Sequence, residues 1–204
     1  MLEAHDLAAQ RGHARLFTGL SFTVEPGQAM VVTGANGTGK TTLLRMLAGL
    51  SWPAAGEIRW DRRSVAPFDP AMRATVAYAG HAPALKDELT AVENLTALLE
   101  LAGERAANDA IGAALDKVAL SSRRSLPARV LSQGQRRRIG LARLALLARP
   151  LWILDEPATA LDAAGVALLA AMIAEHLERG GLAVAATHAP LGLPELRMRS
   201  ITLQ

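Results

Sequence analysis

Cysteine is absent from the 204 residues. No disulfide, cysteine-based zinc site or C-x-x-C-H haem attachment is therefore possible, and the absence fits a reducing compartment. Aromatic residues make up only 3%, too few for the stacking surface that single-strand nucleic-acid binders use. Lysine is scarce: Lys40, Lys86 and Lys117 are the only three, and arginine supplies almost all the positive charge. The formal charge is just +3, so a nucleic-acid partner is not expected, although a basic surface can attract anions. No apolar run reaches bilayer-spanning length; the longest, residues 163–174, leads straight into Glu175 and His176. The opening Met1-Leu2-Glu3-Ala4-His5-Asp6 carries acids and no apolar stretch, unlike a secretory signal. Action at a membrane would need another chain to cross it.

What is present suits one folded domain. Half of the residues are hydrophobic and a fifth are charged, a globular balance. Short strands are expected over residues 2–9, 20–24, 29–33, 56–60, 76–79, 151–154, 182–186 and 199–203. Helices are expected over 41–48, 92–118, 132–148 and 163–179, with Gly49, Pro150 and Gly180-Gly181 as stops. Strands alternating with helices predict an α/β domain with a largely parallel core sheet. The helical middle predicts a subdomain, about residues 82–149, inserted into it.

Gly34-Ala35-Asn36-Gly37-Thr38-Gly39-Lys40-Thr41 fits G-x-x-x-x-G-K-[ST]. Its glycines let backbone N–H groups turn inward around phosphate oxygens. Lys40 would reach the β- and γ-phosphates, and the Thr41 hydroxyl would ligate Mg²⁺, with Thr42 following in the helix. An apolar strand precedes the loop and a helix follows, which is the context the motif needs. The ligands implied are ATP and Mg²⁺.

Leu151-Trp152-Ile153-Leu154-Asp155-Glu156 is an apolar strand ending in two acids. Asp155 would hold the metal and Glu156 would polarise the attacking water. Acids also cap helices, so the pair gains meaning only from the phosphate loop in the same chain.

Leu131-Ser132-Gln133-Gly134-Gln135-Arg136-Arg137-Arg138 contains Ser132-x-x-Gln135, the pattern of a capping box at a helix start. The stretch also resembles the LSGGQ signature of ABC ATPases. A capped helix start presents N–H groups and a positive dipole end to an anion. The resemblance implies that Ser132, Gln133, Gly134 and Gln135 face the ATP held by an opposite subunit. It further implies that Ala160-Leu161-Asp162 is the D-loop and that His188 is the switch histidine. The resemblance covers nearly the whole chain. It implies a P-loop NTPase with a RecA-like core, antiparallel β strands, a helical subdomain and a head-to-tail nucleotide sandwich homodimer.

The sequence departs from the family pattern in three places. Gln133 stands where Gly is usual. The aromatic that stacks on adenine is missing, and Arg11, whose guanidinium can stack on a base, lies near its place. His81, in Tyr78-Ala79-Gly80-His81, stands where the Q-loop supplies Gln, and would replace it in part. The stretch from Gly80 to Leu95, the signature and residues 151–162 resemble the ATP-binding subunit of the cytochrome c maturation system, historically called the haem exporter. That implies an integral-membrane partner received in a groove lined by residues 82–92, and peripheral attachment at the cytoplasmic face of the inner membrane. No haem site is visible, because the histidines are dispersed.

Other functions remain in view. Another ABC transporter ATPase would carry the same motifs. A DNA-repair or chromosome-organising ATPase would separate the two halves of the site with long heptad arms; here fewer than about a hundred residues intervene, a single-domain scale. A ribosome-acting ATPase would need two cassettes in tandem.

Overall fold

The first two strands form a long hairpin: β1 (Leu2–Arg11) pairs antiparallel with β2 (Ala14–Val24), and Arg11 faces Ala14 across the Gly12 turn. Gly12 has φ +59°, a left-handed conformation that glycine adopts without steric cost. This is a computed structural model, and it describes residues 1–188 and 190–204. The second strand begins six residues before the expected Leu20, because residues 14–19 continue the pairing although their half-exposed side chains blur the apolar alternation.

The remaining elements follow in order. They are β3 (Ala29–Gly34), α1 (Lys40–Leu47), β4 (Ala55–Trp60), β5 (Arg63–Ser64), α2 (Pro70–Thr75) and β6 (Val76–Ala79). Then come α3 (Ala91–Leu101), α4 (Asn108–Lys117), α5 (Gln133–Leu147), β7 (Leu151–Asp155), α6 (Ala163–Glu178), β8 (Leu182–Ala186) and β9 (Met198–Leu203). Two sheets result: an antiparallel sheet ordered β2-β1-β4-β5 and a five-stranded sheet ordered β6-β7-β8-β3-β9. Every pairing in the larger sheet is parallel.

The larger sheet is buried on both faces, which is why its strands read as continuous apolar runs. On β7, Leu151 and Ile153 join one core cluster with α1 and the antiparallel sheet, while Trp152 and Leu154 join a second with α3 to α6. Leu182, Val184 and Ala186 against Ala183 and Ala185 divide β8 in the same way. Each fully buried leucine side chain removed from water contributes about 2 kcal/mol. Among the described residues no helix is long and apolar enough to cross a membrane.

The helical stretch expected over residues 92–118 is two helices. Gly103 (φ +77°) closes α3: its N–H donates to the Glu100 carbonyl, and the Glu104 N–H donates to Leu99. This is a glycine stop of the kind that terminates many helices. Asp69 starts the unexpected α2, its side chain accepting from Ala71 N with Pro70 in the first turn. Asn94 is buried and fixes the segment before α3: its amide donates to the carbonyls of Lys86, Leu89 and Thr90 and accepts from Lys86 N.

Candidate nucleotide site

The parallel topology brings the C-terminal ends of β3, β6, β7 and β8 to one edge. From them leave, respectively, the glycine-rich loop, Gly80-His81, Glu156 and Thr187-His188. Loops at that end of an α/β sheet are where ligands bind. A cavity there, about 410 Å³, is lined by Arg11, Leu16, Asn36, Gly37, Gly39, Lys40, Thr41, Thr42, His81, Asp155 and Glu156. Residues separated by well over a hundred positions thus share one wall. Gly34, Ala35 and Thr38 belong to the loop but do not line it.

The loop is held open by its own hydrogen bonds. The Lys40 ammonium donates to the carbonyls of Gly34 (2.7 Å) and Ala35 (2.9 Å), and Thr38 Oγ1 donates to Ala35 O. Gly34 has φ +140°, and a Cβ there would lie 2.5 Å from the Leu203 carbonyl. Gly39 (φ +100°) precedes α1 with no side-chain cap. The start of that helix, free of acids in its first turn, is left to an anion.

Asp155 is buried at the end of β7. Glu156, the next residue, has φ +48°, a left-handed backbone rare for a side chain of its size; its N–H donates to the Ala186 carbonyl. His188 Nε2 lies 3.6 Å from Glu156 Oε1, and His188 is more than half exposed at the cavity's edge. The donor set for a cation is hard oxygen: the Thr41 hydroxyl and the Asp155 carboxylate. That fits magnesium, which takes few protein ligands and completes its shell with phosphate and water. Among the described residues no cluster of three or more acids and histidines competes for it.

Sequence reasoning missed two residues here. Leu16 lines the cavity beside Gly39. Arg137, buried on α5, donates to five backbone carbonyls: Gly80 (2.7 Å), His81 (3.0 Å), Asp155 (2.8 Å), Glu156 (2.6 Å) and Pro157 (3.2 Å). Burial pulls its pKa down, and the Asp155 and Glu156 carboxylates pull it back up. Its only advance signal was membership of the Arg136–Arg138 run, where burial is not readable.

The signature residues lie apart. Ser132, Gln133, Gly134 and Gln135 line another cavity with Arg138, Ala160 and Asp162, which shares no residue with the first. The capping box is formed: Gln135 N donates to Ser132 Oγ (3.2 Å), and Ser132 N donates to Gln135 Oε1 (3.0 Å). Asp162 caps α6 through Gly165 N and pairs with Arg138 at 2.6 Å. Its carboxyl is held below the usual range by the Gly165 N–H first and then by Arg138.

The family model described as ABC transporter matches residues 17–159. The chain belongs to the ABC transporter family. It is 49% identical over the full length of both chains to the cytochrome c biogenesis ATP-binding export protein CcmA of Dechloromonas aromatica. To the same-named protein of Aromatoleum aromaticum it is 51% identical, covering 95% of this chain and 92% of that one. Among solved structures, an ABC transporter ATP-binding protein from Pyrococcus furiosus shares the fold with TM-score 0.85 at 24% identity, over 99% and 96% of the two chains. An ATP-binding cassette solved as a dimer in a post-hydrolysis state with ADP and Pi also has TM-score 0.85, at 22% identity, over 100% and 94%. The fold is therefore that of the P-loop ABC ATPases, and the chain is an ATP-hydrolysing subunit of that kind.

Membership gives the sequence departures a physical reading. Gln133 is an exposed first residue of α5, where no glycine conformation is required. Gly134 is different: a Cβ there would lie 2.6 Å from the Ala160 carbonyl, so close packing of the signature against the D-loop demands glycine. His81 and Arg11 both line the ATPase cavity.

Proposed function

We propose that the chain energises an export step of cytochrome c biogenesis, in haem or haem-chaperone handling, as the ATPase of a complex with an integral-membrane partner. Support comes from the phosphate loop, Asp155 and Glu156 sharing one cavity, and from full-length relatives named for cytochrome c biogenesis export. Attachment at the cytoplasmic face of the inner membrane would be peripheral. We further infer that residues 82–149 act as a helical subdomain and that two copies close on ATP.

The roles follow from chemistry. Lys40 and the N–H groups of the loop and α1 hold the β- and γ-phosphates by charge and hydrogen bonding. Thr41 and Asp155 would hold Mg²⁺, which supplies charge neutralisation for the leaving phosphate oxygens. Glu156 accepts a hydrogen bond from the attacking water and draws its proton as the water oxygen bonds to the γ-phosphorus and the bond to ADP breaks. His188 and His81 sit where they can contact the γ-phosphate and that water. Arg11 flanks the far side of the loop, where the base would lie. Ser132, Gln133, Gly134 and Gln135 of a second copy complete the phosphate's surroundings, and Asp162 faces the other copy.

Lys40→Ala should lose ATP binding and turnover while keeping the fold, and cells carrying it should lack haem-loaded c-type cytochromes. Normal cytochrome maturation with an ATPase-dead chain would overturn the reading.

A further inference from the structure

Between the core sheet and the helices lie two adjoining apolar cavities of about 330 and 340 Å³. Both are lined by Leu50, Tyr78, Leu98 and Arg143. Large apolar side chains stand exposed at this rim: Leu50, Phe68 and Leu101, the last 85% accessible. A contiguous apolar surface of this kind marks an interaction site.

The informative residue is Arg143 on α5. Its Nε is buried with no hydrogen-bond partner. Its only hydrogen bond runs from Nη2 to the Tyr78 carbonyl, at the long distance of 3.5 Å. Among the described residues no carboxylate pairs with it. Burial alone lowers its pKa, with no acid offsetting the effect. Six residues away on the same helix, Arg137 satisfies itself on five carbonyls. Arg149, also on the rim, is paired with Glu104. The one acid lining either cavity, Asp69, is engaged at the start of α2. Arg143 is thus a cation in an apolar groove with its charge unmet, and a desolvated charge without a partner is costly.

We infer that this groove receives an amphipathic segment of the integral-membrane subunit that carries one carboxylate among its apolar side chains, and that this carboxylate pairs with Arg143. The inference rests on the proposed membrane partnership and adds the chemistry by which the partner is recognised. Bidentate guanidinium–carboxylate pairing in a desolvated groove fixes register as well as affinity. The apolar rim supplies the contact area.

The test measures binding of the full chain to its purified, nanodisc-embedded membrane subunit. Arg143→Met should weaken binding by about tenfold or more, with Arg143→Lys intermediate. Phe68→Ser with Leu101→Ser should weaken it independently. Neutralising one Asp or Glu in a cytoplasmic loop of the membrane subunit should reproduce the Arg143→Met loss and add nothing to it in the double variant. If the rim variant weakens binding while Arg143→Met does not, the groove docks the partner but the charge pairing is wrong. If neither matters, or the parent chain does not bind, both the pairing and the docking fall. Should Arg143→Met fail to fold, the acid scan on the membrane subunit decides: no single neutralisation that weakens binding overturns the pairing.

Discussion

Arg137 Nη2 lies 2.6 Å from the carbonyl oxygen of Glu156, the residue assigned to polarise the attacking water. Through Nη1 the same guanidinium holds Gly80 and His81, and its own backbone belongs to the signature helix. One buried cation therefore ties the strand end that carries the catalytic acid to the β6 loop and to the helix that faces a second nucleotide.

Arg137→Met should lower kcat by about a hundredfold, since small misplacements of a catalytic group cost that much, while KM for ATP changes little because the phosphate loop is untouched. Stability should fall by about 3 kcal/mol as buried carbonyls lose their donor. Arg137→Lys should recover part of kcat. A variant that is merely less stable, with unchanged turnover at a temperature where it is folded, would show that Arg137 has no positioning role.

Glu156 adopts φ +48°, and such a backbone costs about 1 kcal/mol for a side chain other than glycine. Glu156→Gly should therefore raise the unfolding free energy by about that amount while abolishing hydrolysis. Glu156→Gln should keep ATP binding and lose about a hundredfold or more in turnover. Chemical denaturation and single-turnover assays read the two effects separately; a destabilised glycine variant would remove the strain argument.

Asn94 makes four hydrogen bonds to the chain between Lys86 and Thr90, and it is buried. Asn94→Ala should cost about 2–4 kcal/mol, because it leaves several backbone groups without partners. Amide exchange should accelerate first in residues 86–90. Exchange that rises uniformly over the chain would contradict a local clamp.

His176 stacks on Trp152 with ring centres 4.1 Å apart, and its Nε2 lies 3.0 Å from the Leu182 carbonyl. Burial is the main reason its pKa sits below 6.5. The unfolded chain then binds more protons than the folded one as pH falls through 6.5 toward the folded value. Stability is complete above about 6.5 and declines below it. His176→Phe should flatten that decline while keeping the stack. A stability profile below pH 6.5 that is identical in parent and variant would assign the titration elsewhere.

The parallel sheet and its ligand end were legible because β3, β7 and β8 are buried on both faces and read as plain apolar runs. The phosphate loop was legible because Gly34 to Thr41 is contiguous. Arg137 was not, since arginine in a basic run looks the same whether it points to water or into a nest of carbonyls. The α3–α4 break was signalled by Gly103, but the alanine- and leucine-rich flanks carried the helical period past it. Asp69-Pro70 was a readable helix start that a six-residue helix gave too little periodicity to support. Arg143 shows the same limit as Arg137: its missing partner exists only in three dimensions.

Gly134 and Lys40 line cavities with no residue in common, so each copy carries halves of two different reaction centres. Two individually inactive alleles, one damaged at Lys40 and one at Gly134, should therefore complement when expressed together, because a mixed pair rebuilds one intact centre. Two alleles damaged in the same half cannot.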